Sequence, residues 1–212
     1  MIYVGCDAHK RYSMFAAMDD RGMVGVPAKV DHNRSSFRIF LNSLPPRSSI
    51  AVGTIGSWYW MIDEMEKAGH LPVLAHAGKA KLMMGQINKT DKLDAKGLAL
   101  LLRNGTLPKV WIPPGELRDQ RELPRLRMAL VRMRTMLKSR IHATLAKYGI
   151  QIEEASDLFG TGGRDILKKR LPELPPQTQR SVDGELAVLD EVDDQIKCAN
   201  SGSKTWSHQR RR

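Results

Sequence analysis

The sequence predicts an α/β fold, a mixed sheet with flanking helices, followed by a helical, coiled-coil-like segment. Three observations carry that prediction. Short apolar runs bounded by turn residues recur through the first 75 residues, with amphipathic helical stretches between the later ones. Their order, β-β-β-α-β-α-β with short connections, requires a sheet that is part antiparallel and part parallel. Beyond Val110-Trp111-Ile112-Pro113-Pro114 the apolar period becomes helical.

Each element has its own justification. Ile2-Tyr3-Val4-Gly5-Cys6 is a short buried strand that stops at Asp7. Ser13 to Met18, the turn Asp19-Asp20-Arg21-Gly22 and Val24 to Val30 complete a three-stranded antiparallel meander. Asn33 or Ser35 caps a helix with Phe37, Phe40 and Leu41 on one face, and Pro45-Pro46 ends that unit. Ser49 to Val52 is a fourth strand. Ser57 to Ala68 is an amphipathic helix closed by Gly69, and Leu71 to Ala75 is a fifth strand. Helices are expected from Lys79 to Met84 and from Asp91 to Arg103, the latter with a buried face through Leu98-Ala99-Leu100-Leu101-Leu102.

Val110 to Pro114 reads as an extended linker and domain boundary. The helix from Arg125 to Tyr148 carries Leu126, Leu130, Met133, Leu137, Ile141 and Leu145 on one stripe, with Pro124 in its first turn. Thr161-Gly162-Gly163 reads as a turn; without a following Gly-Lys-Ser/Thr it is not a phosphate loop. Asp183 to Lys197 is an acidic amphipathic helix. From Cys198 the periodicity is lost, so a disordered tail is expected. The predicted divisions are 1–114, 115–150, 151–197 and 198–212.

Charge marks the same divisions. The 212 residues carry 34 Lys and Arg against 23 Asp and Glu, a net charge of +11, which points to a polyanionic partner and foremost nucleic acid. Residues 116–150 hold 9 bases and 3 acids, residues 151–196 reverse to 5 and 11, and the last sixteen residues have 5 bases and no acid. The basic side chains of the long helix, Arg125, Arg127, Arg132, Arg134, Lys138 and Arg140, suit phosphate contacts. Its apolar stripe suits a coiled-coil partner, and one helix can do both. No apolar run is long enough to span a bilayer, and no signal-peptide pattern opens the chain. Cys6 and Cys198 are the only cysteines, which excludes a disulfide framework or a cysteine zinc site. The six histidines lack the i, i+4 spacing of a zinc helix. A reduced cytoplasmic protein, associated with nucleoid DNA, is expected.

The chemistry-bearing residues are acids. Asp91 and Asp94, in Lys89-Thr90-Asp91-Lys92-Leu93-Asp94-Ala95-Lys96, fall about one turn apart on one side of a helix. Any soluble helix can begin with two acids, since the helix N-terminus offsets their repulsion. A third acid, Asp7 at the end of the first strand, makes a divalent cation the better account. Mg²⁺ or Mn²⁺ prefers carboxylate oxygens and keeps waters that phosphate can replace. Phosphodiester chemistry of this kind needs three or four acids from separate elements of one sheet. The fourth is expected at the end of the strand from Ile50 to Thr54, where the sequence reads Ala51-Val52-Gly53-Thr54-Ile55-Gly56 and has none.

Four segments carry a family resemblance: Tyr3-Val4-Gly5-Cys6-Asp7, Gly56-Ser57-Trp58-Tyr59-Trp60, Lys89 to Ala95, and the Arg-rich helix ending Arg140-Ile141-His142-Ala143. Over residues 2 to about 196 the chain resembles DEDD transposases of the insertion-sequence family numbered one-ten, which also includes the Piv-type DNA invertases. The resemblance implies a ribonuclease-H-like (RuvC-like) N-terminal domain and makes Asp7, Asp91 and Asp94 three of four acids that are both catalytic and metal-binding. It implies DNA strand exchange guided by a structured RNA, with DNA as substrate and the 125–148 helix supporting a homo-oligomer.

Two departures qualify it. The family's Glu before the Trp-Tyr-Trp segment maps to Gly53, and neither Glu64 nor Glu66 reaches the strand end from the following helix. The family also continues into a domain with a nucleophilic serine, so a truncated and inactive copy is expected; Ser201 and Ser203 do not inherit that role. The alternatives are a non-enzymatic nucleic-acid-binding remnant and a RuvC-like structure-specific nuclease.

Overall fold

The computed structural model describes residues 1–85 and 90–209, with side chains described to Ser201. Lys89 of the diagnostic segment and residues 210–212 of the expected tail lie outside the described residues. The chain divides into two compact units, Met1–Ile112 and Pro113–Arg212.

The first unit runs β1 (Tyr3–Ala8), β2 (Tyr12–Met18), β3 (Ala28–Asp31), α1 (Arg34–Ser43), β4 (Ser49–Gly53), α2 (Trp58–Lys67), β5 (Leu71–Ala75), α3 (Ala77–Met84), α4 (Asp91–Arg103) and β6 (Lys109–Val110). The sheet order is β3-β2-β1-β4-β5-β6. β1, β2 and β3 form an antiparallel meander, and β4 and β5 add in parallel beside β1. A mixed six-stranded sheet with flanking helices is the α/β arrangement that the element order predicts, and it is consistent with the ribonuclease-H-like fold that the resemblance implies.

Strand alternation assigns the two faces. Val4, Cys6, Phe15, Ile50 and Val52 point into one core with Phe37 and Leu41 of α1 and Met61, Ile62 and Met65 of α2. Ala51 and Ala75 point the other way, toward Ala80 of α3 and Leu98 and Leu102 of α4. By the same parity Gly5, Asp7 and Gly53 belong to the α4 face. The predicted leucine face of α4 is correct for Leu98, Ala99 and Leu102, whereas Leu100 is exposed.

Two sequence expectations change here. β3 is confined to Ala28–Asp31, and Val24 makes only an isolated bridge to Met18. Pro27 has no N–H to give a ladder, so pairing begins after it. Val110, expected to open the linker, instead joins Lys109 in a short sixth strand antiparallel to Leu74 and Ala75. The backbone of His76 donates to Pro108, which sets that register.

The second unit comprises α5 (Gly115–Gln120), α6 (Glu122–Lys147), α7 (Thr161–Arg170) and α8 (Pro176–Gln209). α6 begins three residues before the predicted start. Pro124 is its third residue, where no intrahelical donor is needed. Ile141 and Leu145 pack with Leu167, Leu171 and Val182, while Leu137 meets Leu189, Val192 and Ile196 of α8. The predicted stripe is therefore buried only in its C-terminal half, since Leu126 and Met133 are exposed.

Thr161-Gly162-Gly163 opens α7 and is not a turn. A β-carbon on Gly163 would lie 2.1 Å from the Asp157 carbonyl, so the close packing of this helix start explains its glycine. The expected disorder from Cys198 is also corrected, because α8 continues to Gln209. Ala199 is buried and Asn200 accepts a hydrogen bond from Arg127, so α6 supports α8 beyond its own apolar period. Among the described residues no helix is long and apolar enough to cross a membrane.

Candidate metal centre

The three predicted acids converge on one end of the first unit. Asp7 is the penultimate residue of β1, which pairs in parallel with β4 so that Cys6 lies beside Val52. The next residues along, Asp7 and Gly53, are therefore neighbours. α4 crosses the same face over Gly5, whose missing side chain lets the helix backbone lie against the strand. Thr90 caps α4 by accepting from the Leu93 N–H, which places Asp91 and Asp94 in its first turn.

Asp91 and Asp94 both act on Asp7 but meet different neighbours. Asp91 joins Asp7 through a residue that the sequence did not single out. His9 Nε2 lies 3.0 Å from Asp7 Oδ2 and 3.2 Å from Asp91 Oδ2. The Tyr12 hydroxyl donates to the same Asp91 oxygen at 2.7 Å, and its ring stacks on His9 at 4.7 Å. The ammonium of Lys29 covers the Tyr12 ring. Asp94 instead lines a cavity of about 170 Å³ with Asp7, Gly53, Ala77, Lys81 and Met84.

Electrostatics favour a cation here. Burial raises the Asp7 carboxyl above the usual carboxylate value; His9 opposes that shift, while the charges of Asp94 and Asp91 add to it. The Tyr12 phenol is also raised, first by its bond to Asp91. One ligand atom each from Asp7, His9 and Asp91 lies within 4.8 Å of the others. Two carboxylate oxygens and an imidazole nitrogen, with charge already crowded around Asp7, fit a divalent cation.

The fourth position has space but no ligand. A β-carbon on Gly53 would meet Ala77 Cβ at 3.5 Å, an ordinary contact. Glu64 is committed elsewhere. It is buried on α2, against the opposite face of the sheet, and takes hydrogen bonds from Arg34 and Arg38, each at 2.5 Å. Those bonds, that from Arg38 foremost, hold its carboxyl down to about 2. Glu66 is exposed on the same helix. Cys6 offers no alternative nucleophile, because burial pushes its thiol up to about 12.

The basic side chains of α6 are more occupied than the sequence suggests. Arg127 donates to Asn200, Arg134 to Asp193 and Arg140 to Glu185, all on α8. Lys138 lies 4.0 Å from Asp157 and over the Phe159 ring. Arg125 pairs with Glu122 one turn back, and Arg132 is exposed. The acidic helix of the second unit thus neutralises much of the basic one.

His9 and Tyr12 are the site residues that sequence reading missed. His9 does not have the i, i+4 spacing of a zinc helix; it reaches back to Asp7 across a strand end. Tyr12 shares the strand parity of Met14, which packs on Ala95 of α4, and that parity was the available signal.

A family model described as transposase, of the DEDD insertion-sequence type, matches residues 4–150. The match takes in Asp7, Gly53, Asp91, Asp94 and the whole of α6. No curated protein matches the chain.

Proposed function

This chain belongs to the DEDD transposase family, and from that premise we propose that Asp7, Asp91 and Asp94 form a divalent-cation site acting on DNA phosphodiesters. The observation that carries the reading is the meeting of β1 and the α4 N-terminus, which brings Asp91 and Asp94 beside Asp7. A bound Mg²⁺ or Mn²⁺ would supply charge neutralisation at the phosphate oxygens and the attacking oxygen. Asp7 and Asp91, with Asp94 beside them, would hold the cation, and Tyr12 fixes the Asp91 carboxylate by its hydrogen bond. Asp94 faces the cavity beside Gly53, where a reacting phosphate has room.

Gly53 limits the chemistry. With three carboxylates where the family pattern has four, binding weakens and the phosphate is less well positioned. A misplacement of about 1 Å costs on the order of a hundredfold in rate. We therefore read the chain as a transposase domain of low or absent strand-exchange activity. The same vacancy argues against a RuvC-like nuclease.

The second reading is a nucleic-acid-binding protein without catalysis, favoured by Gly53 together with the net charge of +11. In both readings α6 contributes Arg125, Arg127, Arg132, Arg134, Lys138 and Arg140 to phosphate contacts. Exposed ion pairs of the kind seen on α6 are weak and exchange readily for phosphate. DNA and a structured guide RNA are the proposed partners. The exposed Leu126 and Met133 support self-association through α6.

Nicking of supercoiled DNA in Mg²⁺ or Mn²⁺, compared with Asp91→Ala, tests the reading. Activity that rises in Gly53→Glu and disappears when Asp91→Ala is added supports it. Equal nicking with and without Asp91 removes the proposed site. Steeply salt-dependent binding that is indifferent to Asp91→Ala, without nicking, favours the second reading.

A further inference from the structure

We propose that His9 is itself a ligand of the cation, so that this chain holds its metal through Asp7 Oδ2, His9 Nε2 and Asp91 Oδ2 and prefers a first-row transition ion to Mg²⁺. The inference rests on the metal-site reading above and goes beyond its carboxylates.

The donor spacing carries the argument. Ligands about 2.1 Å from an octahedral ion stand about 3.0 Å apart on a polyhedron edge, and tetrahedral ligands at about 2.0 Å stand about 3.3 Å apart. The two edges His9 offers, to Asp7 and to Asp91, are 3.0 and 3.2 Å. The same spacing serves a hydrogen bond from His9 to Asp7 and an ion-pair contact with Asp91. The two edges at His9 are thus already at ligand spacing, and the three donor atoms lie within 4.8 Å of one another, a largely preorganised set. Tyr12 holds two of the three donors, stacking on the imidazole and bonding the Asp91 oxygen that faces it. Such outer contacts orient metal ligands.

The composition of the set predicts its selectivity. Gly53 removes a hard anionic oxygen from the expected four, and His9 adds a softer nitrogen. Imidazole suits Zn²⁺, Ni²⁺ and Fe²⁺, and affinity for a nitrogen-containing site rises along the first row from Mn²⁺. Mg²⁺ gains least from nitrogen and dehydrates reluctantly. Asp7 and Asp91 still neutralise a divalent charge.

The test uses the whole chain and Mn²⁺ as the probe. Mn²⁺ affinity is measured by calorimetry, and pulsed electron paramagnetic resonance reads ¹⁴N modulation from a directly bound imidazole. The expected result is ¹⁴N modulation in the natural chain, lost in His9→Asn together with at least about a tenfold loss of Mn²⁺ affinity. Mg²⁺ affinity should fall less. His9→Gln is measured alongside, and matching thermal midpoints establish that both variants are folded. Tight Mn²⁺ binding without ¹⁴N modulation, or with modulation that survives in both variants, overturns the ligand role and leaves the carboxylate site standing. Failure of Mn²⁺ to bind the natural chain at millimolar concentration overturns both.

Discussion

Gly5 on β1 lies directly beneath the Ala95 carbonyl of α4: a β-carbon on residue 5 would fall 1.9 Å from that oxygen and 2.7 Å from the Ala99 nitrogen. Both obstacles are backbone, so no rotamer change relieves them. This contact sets the height of α4 above the sheet, and with it the distance from Asp7 to the acids of the helix N-terminus. Gly5→Ala is expected to cost about 3 kcal/mol or more and lower Tm by about 10 °C. Residual folded protein should bind Mn²⁺ more weakly, because Asp91 moves off Asp7. A calorimetric scan and a Mn²⁺ titration check both; an unchanged Tm contradicts the packing described.

Burial of the Asp7 carboxyl carries an electrostatic cost that a bound cation would relieve. Its carboxyl is raised in the folded state, so its contribution to stability is full below the unfolded value near 3.8 and is lost as pH rises through the folded value. Asp7→Asn should therefore melt a few degrees above the natural chain at pH 7 without metal. The difference should shrink toward pH 3. With saturating Mn²⁺ the order should reverse, since only the natural chain gains from binding. Thermal melts at the two pH values and with Mn²⁺ decide it.

Glu64 has the opposite sign. Arg38 and Arg34 hold its carboxyl down to about 2 from an ordinary 4.5, so its stabilisation is present above 4.5 and is lost as pH falls toward 2. Glu64→Gln should lower Tm by about 4–8 °C at pH 7. The two proteins should converge in acid. A gap of constant size from pH 7 to pH 2.5 would show that the Glu64 pairs joining α1 and α2 matter through packing alone.

Gly53→Glu should fold without penalty in the sheet, because the β-carbon meets only Ala77 Cβ at van der Waals distance. A fourth carboxylate beside Asp7 and Asp94 should raise divalent affinity by about tenfold, most for Mg²⁺, which gains a hard oxygen. Calorimetry on the natural chain and this variant measures it. An unchanged affinity would place the family's fourth ligand elsewhere than the end of β4.

Much of this molecule is legible in its residues because the legible parts are local. Strand alternation, caps and helical period depend on neighbours within a turn or two. Thus β5, α4 and the Asn33 cap fall where the sequence predicts, and Asp7, Asp91 and Asp94 stand out as acids at element ends. The vacancy at Gly53 is also a property of the sequence alone.

Tertiary structure decided what depends on contacts across the chain. α4 lies against β1 because Gly5 has no side chain, and there Asp91 meets His9 while Asp94 lines the cavity beside Gly53. His9 enters the site because the turn after β1 folds back on its own strand, which no helical spacing rule anticipates. Lys109-Val110 is a strand through its pairing with the edge of β5, and past Cys198 α8 meets α6 through the Arg127 hydrogen bond to Asn200. The sequence by itself determined the family, the sheet and three of the acids. Packing between distant segments determined which of those acids meet, and that an imidazole stands between two of them.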